Sequence, residues 1–119
     1  MVGTAGDDVL VGTPGPDVIV ALGGNDVVIG RDGDDVICAG AGNDLVIAGK
    51  GADRVAGEAG RDHLVGGAGD DDLDGGDGAD VCNGPPGRDE LVSCERRSES
   101  ARGASVASRV TSRLFRLAQ

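Results

Sequence analysis

The chain has no tryptophan, no tyrosine and one phenylalanine, Phe115, so an aromatic-centred core is excluded for its 119 residues. Twenty-three glycines add almost no apolar surface of their own. Stability has to come from another source. Long hydrophobic runs are also missing: none approaches the roughly 18 residues that span a bilayer. Positive charge is scarce over most of the sequence, since residues 1–94 carry 19 Asp and Glu against 5 Lys and Arg, a net of −14. Such a segment repels nucleic acid and anionic membranes, which argues against both as partners and for a cation as the missing counter-charge. One histidine and three cysteines, without ligand spacing, argue against zinc. No nucleophile, base and orienting group come together in the sequence, so no catalysis is expected. Met1 to Gly12 has no basic stretch followed by a hydrophobic one, and a secretory leader is expected to be absent or to lie outside this sequence.

What is present is a strict repeat. Ten nine-residue units run without insertion from Gly3 to Val92. The fourth position is always glycine, from Gly6 and Gly15 to Gly87. The sixth is always aspartate: Asp8, Asp17, Asp26, Asp35, Asp44, Asp53, Asp62, Asp71, Asp80 and Asp89. The eighth is aliphatic except at Cys82. Glycines mark turns, because they enter left-handed backbone conformations without steric cost. Triplets such as Val9-Leu10-Val11 and Val18-Ile19-Val20 are too short for a helix and are β-branched enough for brief strands. Two units then complete one circuit of 18 residues, and ten units predict an all-β parallel solenoid of about five turns. Alternation along a strand points the eighth position inward and the seventh and ninth outward.

Units such as Gly66-Gly67-Ala68-Gly69-Asp70-Asp71-Asp72-Leu73 and Gly75-Gly76-Asp77-Gly78-Ala79-Asp80 carry the pattern in full. It resembles that of the RTX, or hemolysin-type, calcium-binding repeat family, with unit GGxGxDxUx and U a large aliphatic. The resemblance covers 90 of 119 residues. It implies a parallel β-roll with calcium ions between turns stacked on one edge, each ion held by sixth-position carboxylates and loop carbonyls. The chemistry points the same way, because calcium takes six to eight oxygens in a flexible shell and glycine loops expose carbonyls; magnesium dehydrates too reluctantly for such cages. Same-edge neighbours lie 18 residues apart, as in Asp26/Asp44 or Asp35/Asp53, which allows up to about eight sites. Ten inward side chains, nine aliphatics and Cys82, are few for ninety residues to be ordered, so calcium is expected to decide whether the chain folds. Extracellular calcium modules bind at about 0.1 to 1 mM, which suits folding after export from a low-calcium cytosol to a secreted, extracellular state.

Units differ in detail. Lys50, Arg54, Glu58 and Arg61 place charges in the sixth and seventh, and Pro85 and Pro86 suggest a stiffened last turn. Lys50 reads either as a solvated loop side chain or as a weakening of one site. His63 is expected at the surface. The outward positions are apolar early (Val9, Val11, Val18, Val20, Val27, Ile29, Val36, Ile47) and polar later (Arg54, His63, Asp72, Asp74, Glu90), a contact surface for self-association, a partner domain or the tail. The ending Asp80-Val81-Cys82-Asn83-Gly84 resembles the terminus of small secreted actinobacterial calcium-binding proteins; Cys82 reads as half of a disulfide with Cys94 or as a plain buried residue, with Cys38 left over.

After Cys94 the composition changes, and residues 95–119 carry 6 Arg against 2 Glu, a net of +4. Val106, Val110, Leu114 and Leu117 recur at helical spacing, so the second region, 95–119, is expected to be a basic amphipathic helix or tail capping the β-roll of residues 1–94. A membrane-surface helix or a carboxy-terminal export signal is an alternative for this segment. The whole reads as a secreted calcium-binding β-roll. Its rivals are the repeat segment of a larger secreted hydrolase or toxin, and a calcium-dependent adhesion or surface-layer element.

Overall fold

The computed structural model describes residues 1–84, 89–94 and 96–99, and in it the repeats wind into a parallel β-solenoid of two facing sheets. Five strands, β2 (Val18–Val20), β4 (Val36–Cys38), β6 (Arg54–Ala56), β8 (Asp72–Asp74) and β10 (Glu90–Val92), form the even-numbered sheet. The odd-numbered sheet runs β1 (Val9–Val11), β3 (Val27–Ile29), β5 (Leu45–Ile47), β7 (His63–Val65), β9 (Val81–Gly84) and β11 (Arg96–Glu99). Pairing advances by 18 residues per step: Val9 lies against Val27, Val27 against Leu45, and Val18 against Val36. Each column of five repeat strands contains four such steps, so about four turns of strict register stand where five were expected. At β11 the step shortens, and Arg96 pairs with Val81. That strand lies inside the segment read from sequence as tail. The expected helix around Val106 to Leu117 lies outside the described residues.

Alternation along each unit explains the core. The eighth-position side chains Ile19, Val28, Ile37, Val46, Val55, Leu64, Leu73, Cys82 and Leu91 are buried, while Leu10, at the open amino-terminal end, is only partly covered. Period two carries the inward direction backwards to the sixth-position aspartate and forwards to the first residue of the next unit, always Gly or Ala. Ala21, Ala39 and Ala48 are therefore core residues. Cys82 and Cys94 form a disulfide, with Cα atoms 5.8 Å apart, that closes the carboxy-terminal end of this core; Cys38 remains free and half-buried on the outer face.

From the third unit to the ninth, each loop visits the left-handed region twice, at the second and fourth positions of the unit. The fourth is glycine by pattern, but the second is Leu22, Arg31 or Glu58 in three units, with φ of 73°, 74° and 68°. A side chain at the fourth position has a worse problem: Gly42 has φ +106°, and a Cβ there would overlap the Gly24 carbonyl oxygen one turn away. Gly42→Ala is accordingly expected to cost about 3 kcal/mol or more, read as a fall in melting temperature in saturating calcium.

The two outer faces differ. On the odd-numbered sheet the outward residues stay apolar almost throughout: Val9, Val11, Val27, Ile29, Leu45, Ile47, Val65 and Val81, interrupted by His63 and Asn83. On the even-numbered sheet they pass from Val18, Val20 and Val36 to Arg54, Asp72, Asp74 and Glu90, which line a shallow groove with Val92. The early-apolar, late-polar gradient expected from sequence thus belongs to one sheet only. Folding sorts alternate units onto opposite faces, which a linear reading mixes.

Candidate metal centre

The ten sixth-position aspartates fall into two columns, one along each edge where strands give way to loops. Asp8, Asp26, Asp44, Asp62 and Asp80 make one; Asp17, Asp35, Asp53, Asp71 and Asp89 make the other. Eight of them, from Asp26 onward, are at most 3% exposed. Within a column each carboxylate is tied to the turn before it through Oδ1. The Asp8 amide donates to Asp26 Oδ1 at 2.7 Å, Asp26 to Asp44 at 2.7 Å, Asp44 to Asp62 at 3.0 Å and Asp62 to Asp80 at 2.7 Å. The second column repeats this, from Asp17 to Asp35 at 2.8 Å through to Asp71 and Asp89 at 2.9 Å.

The other oxygen is the chemically informative one. Oδ2 of Asp26, Asp35, Asp44, Asp53, Asp62, Asp71 and Asp89 is buried and accepts no hydrogen bond. Leaving one buried acceptor unsatisfied costs about 1 to 3 kcal/mol, more for a charge, and here the defect recurs along both columns. Where the first position of the unit is glycine, this oxygen faces it: Oδ2 of Asp35, Asp62, Asp71 and Asp89 lies against Gly30, Gly57, Gly66 and Gly84, whereas alanine stands there ahead of Asp26, Asp44 and Asp53. A Cβ placed on Gly30 would lie 2.7 Å from Asp35 Oδ2 and 2.5 Å from the Ala48 carbonyl oxygen. One on Gly57 would lie 2.6 Å from Asp62 Oδ2 and 2.9 Å from the Gly75 carbonyl oxygen. Carboxylate and carbonyl from successive turns thus converge on one small volume. That is the donor set of a hard cation. No three Asp, Glu, His or Cys side chains converge among the described residues, so backbone carbonyls have to complete any shell.

Electrostatics sharpen the case. Burial pushes the carboxyls of Asp44 and Asp53 up to about 6, of Asp62 to about 7 and of Asp71 to about 8. The backbone hydrogen bond from the preceding turn opposes the shift, and the preceding carboxylate of the column adds to it. Asp35 and Asp89 are raised as well, chiefly by burial. Without a cation these columns are short of positive charge.

The first carboxylate of each column is built differently. Asp8 Oδ2 accepts from the Thr4 amide at 2.6 Å and the Thr4 hydroxyl at 3.0 Å; Asp17 Oδ2 accepts from the Thr13 amide at 2.7 Å, and the Thr13 hydroxyl donates to Oδ1 at 2.9 Å. Both are only half-buried. The threonines cap the columns where no earlier turn exists. Sequence reasoning passed over them, although Thr4 and Thr13 are the only threonines in the repeats. It also passed over a second ladder at the fifth position, where Asp7, Asn25 and Asn43 each accept the amide of the residue 18 further on, at 2.7 to 2.9 Å. Lys50, Arg54, Glu58, Arg61 and His63 are exposed.

A parallel β-solenoid with a buried carboxylate column on each edge is the architecture of a cation-loaded repeat protein. Residues 2–91 match the RTX calcium-binding nonapeptide repeat in five overlapping four-copy stretches, 2–37, 11–46, 29–64, 47–82 and 56–91, and the chain belongs to that family. Its repeats bind Ca2+. No curated protein and no solved structure matches the chain. Among the described residues no helix is long and apolar enough to cross a membrane.

Proposed function

We propose that the chain is a non-catalytic module that folds when it binds calcium and works outside the cell. The observation that carries this reading is the run of buried, unsatisfied Oδ2 atoms aligned in two columns. Asp8, Asp17, Asp26, Asp35, Asp44, Asp53, Asp62, Asp71, Asp80 and Asp89 are the side-chain ligands in this reading, with first-position carbonyls such as those of Ala48 and Gly75 beside them. Calcium supplies the positive charge that successive carboxylates of a column lack. The chain's own part is to set those oxygens 18 residues apart, hold Oδ1 by the backbone and keep water out with the aliphatic core. The Cys82–Cys94 disulfide supports an oxidising compartment, since such bonds persist mainly outside the cytosol.

Native mass spectrometry of the calcium-loaded chain tests the assignment. Several bound ions, up to about eight, are expected at millimolar calcium, and none retained in equal magnesium. A chain that stays calcium-free at millimolar concentration would overturn it.

A further inference from the structure

The odd-numbered sheet turns a largely apolar strip to solvent, broken only by His63 and Asn83: Val9 is 70% exposed, Val11 46% and Ile47 37%, with Val27, Ile29 and Leu45 half-covered between them. Single exposed aliphatics are normal, but an extended apolar strip marks a contact. We propose that this strip seats the chain's own carboxy-terminal segment, residues 104–118, lying as one amphipathic helix along the sheet from β9 towards β1.

Dimensions, position and charge support that occupant. Three-residue strands make the strip about 10 Å wide, the diameter of one helix with its side chains. The four inter-strand steps from β1 to β9 span about 19 Å, and a helix from Val106 to Leu117 would be about 18 Å long. β11 closes this same sheet, so the chain leaves Glu99 at one end of the strip and can follow it only towards β1. Residues 100–119 carry Arg102, Arg109, Arg113 and Arg116 and no Asp or Glu. Exposed Asp7, Asp32, Asp34 and Asp77 stand on the loops that flank the sheet. A second copy is the rival occupant, but a strip of roughly 200 Å² falls well short of the ~800 Å² per partner of a standard interface. The even-numbered face is the rival location, yet Arg54 and Asp74 would meet the apolar stripe Val106, Val110, Leu114 and Leu117 with charge.

The inference rests on the calcium reading, because the strip exists only in the folded roll. Hydrogen exchange of the full chain in saturating calcium tests it, with circular dichroism on the same samples. Residues 104–118 are expected to exchange at least about tenfold more slowly in the wild type and in Val36→Lys, on the other sheet, than in Ile47→Lys. The full chain is expected to run as a monomer. Ile47→Thr, which keeps β-branching, repeats the test should the lysine variant fail to fold. Strand signal with a tail that exchanges equally in all variants, or a dimeric full chain, would overturn the seating alone. Absence of strand signal from the wild type in calcium would count against the calcium reading as well.

Discussion

Held in chelator at pH 8, the chain is expected to show the circular dichroism of an unfolded polymer, to gain its strand signal with millimolar calcium, and to remain unfolded in equal magnesium. With Asp62 and Asp71 pushed up to about 7 and about 8, forming the metal-free roll at pH 8 means burying charges that repel one another in each column. Acid should act oppositely on the two states. An unfolded aspartate titrates near 3.9, below the folded values of Asp44, Asp53, Asp62 and Asp71, so the metal-free roll binds more protons than the unfolded chain. Its stability is then greatest below about pH 4 and is lost as the pH rises through 6 to 8. Lowering the pH from 8 to 5 in chelator should therefore raise strand content or melting temperature, the latter by on the order of 10 °C. In calcium the same change should weaken the roll, because protons compete for the ligand oxygens. A metal-free chain that is fully folded at pH 8, or one whose stability rises with pH in chelator, would contradict this account.

Much of the fold was legible because the repeat is nearly free of exceptions. Glycine at the fourth position, aspartate at the sixth and an aliphatic at the eighth give turn, edge carboxylate and core, and the pairing of Val9 with Val27 or Val18 with Val36 follows from the period. The disulfide expected at Cys82 and Cys94 is present. The unread parts share a cause: they depend on contacts between turns rather than on the unit itself. Ala21, Ala39 and Ala48 look like loop residues until the inward direction is carried past the strand. Leu22, Arg31 and Glu58 adopt a left-handed backbone that their side chains do not favour, which only the stacking of loops imposes. β11 was missed because Arg96–Glu99 lacks the repeat signature and follows a shortened step. In the site, the sequence named the ten carboxylates but not the unequal duties of their two oxygens. In Asp26, Asp35, Asp44, Asp53, Asp62, Asp71 and Asp89, Oδ1 is a structural acceptor, and Oδ2 is the one left over.

That division gives the sharpest test of the columns, in which charge and hydrogen bond are removed separately. Asp44→Asn keeps an acceptor for the Asp26 amide while deleting the buried charge. In chelator the variant should be more stable than the wild type, because burial had pushed this carboxyl up to about 6 and the amide side chain carries no charge to desolvate. In calcium it should be less stable, with the calcium midpoint for folding raised roughly tenfold, since an interior carboxylate stands between two neighbours of its column and its loss weakens both intervals. Asp44→Ala should be destabilised in both conditions, as the Asp26 amide, bonded to Asp44 Oδ1 at 2.7 Å, then loses its partner at a cost of about 1 to 3 kcal/mol. Asp8→Asn is the control at the end of the column. Its carboxylate is half-exposed and already bonded to Thr4, and it has a column neighbour on one side only, so its calcium midpoint should move by about twofold or less. The measurement is the folding midpoint by circular dichroism across a calcium titration, with melting temperatures in chelator at pH 5. Equal midpoints for Asp44→Asn and Asp8→Asn, or an Asp44→Asn variant destabilised in chelator as well as in calcium, would mean that these carboxylates are structural acceptors and that calcium is held elsewhere.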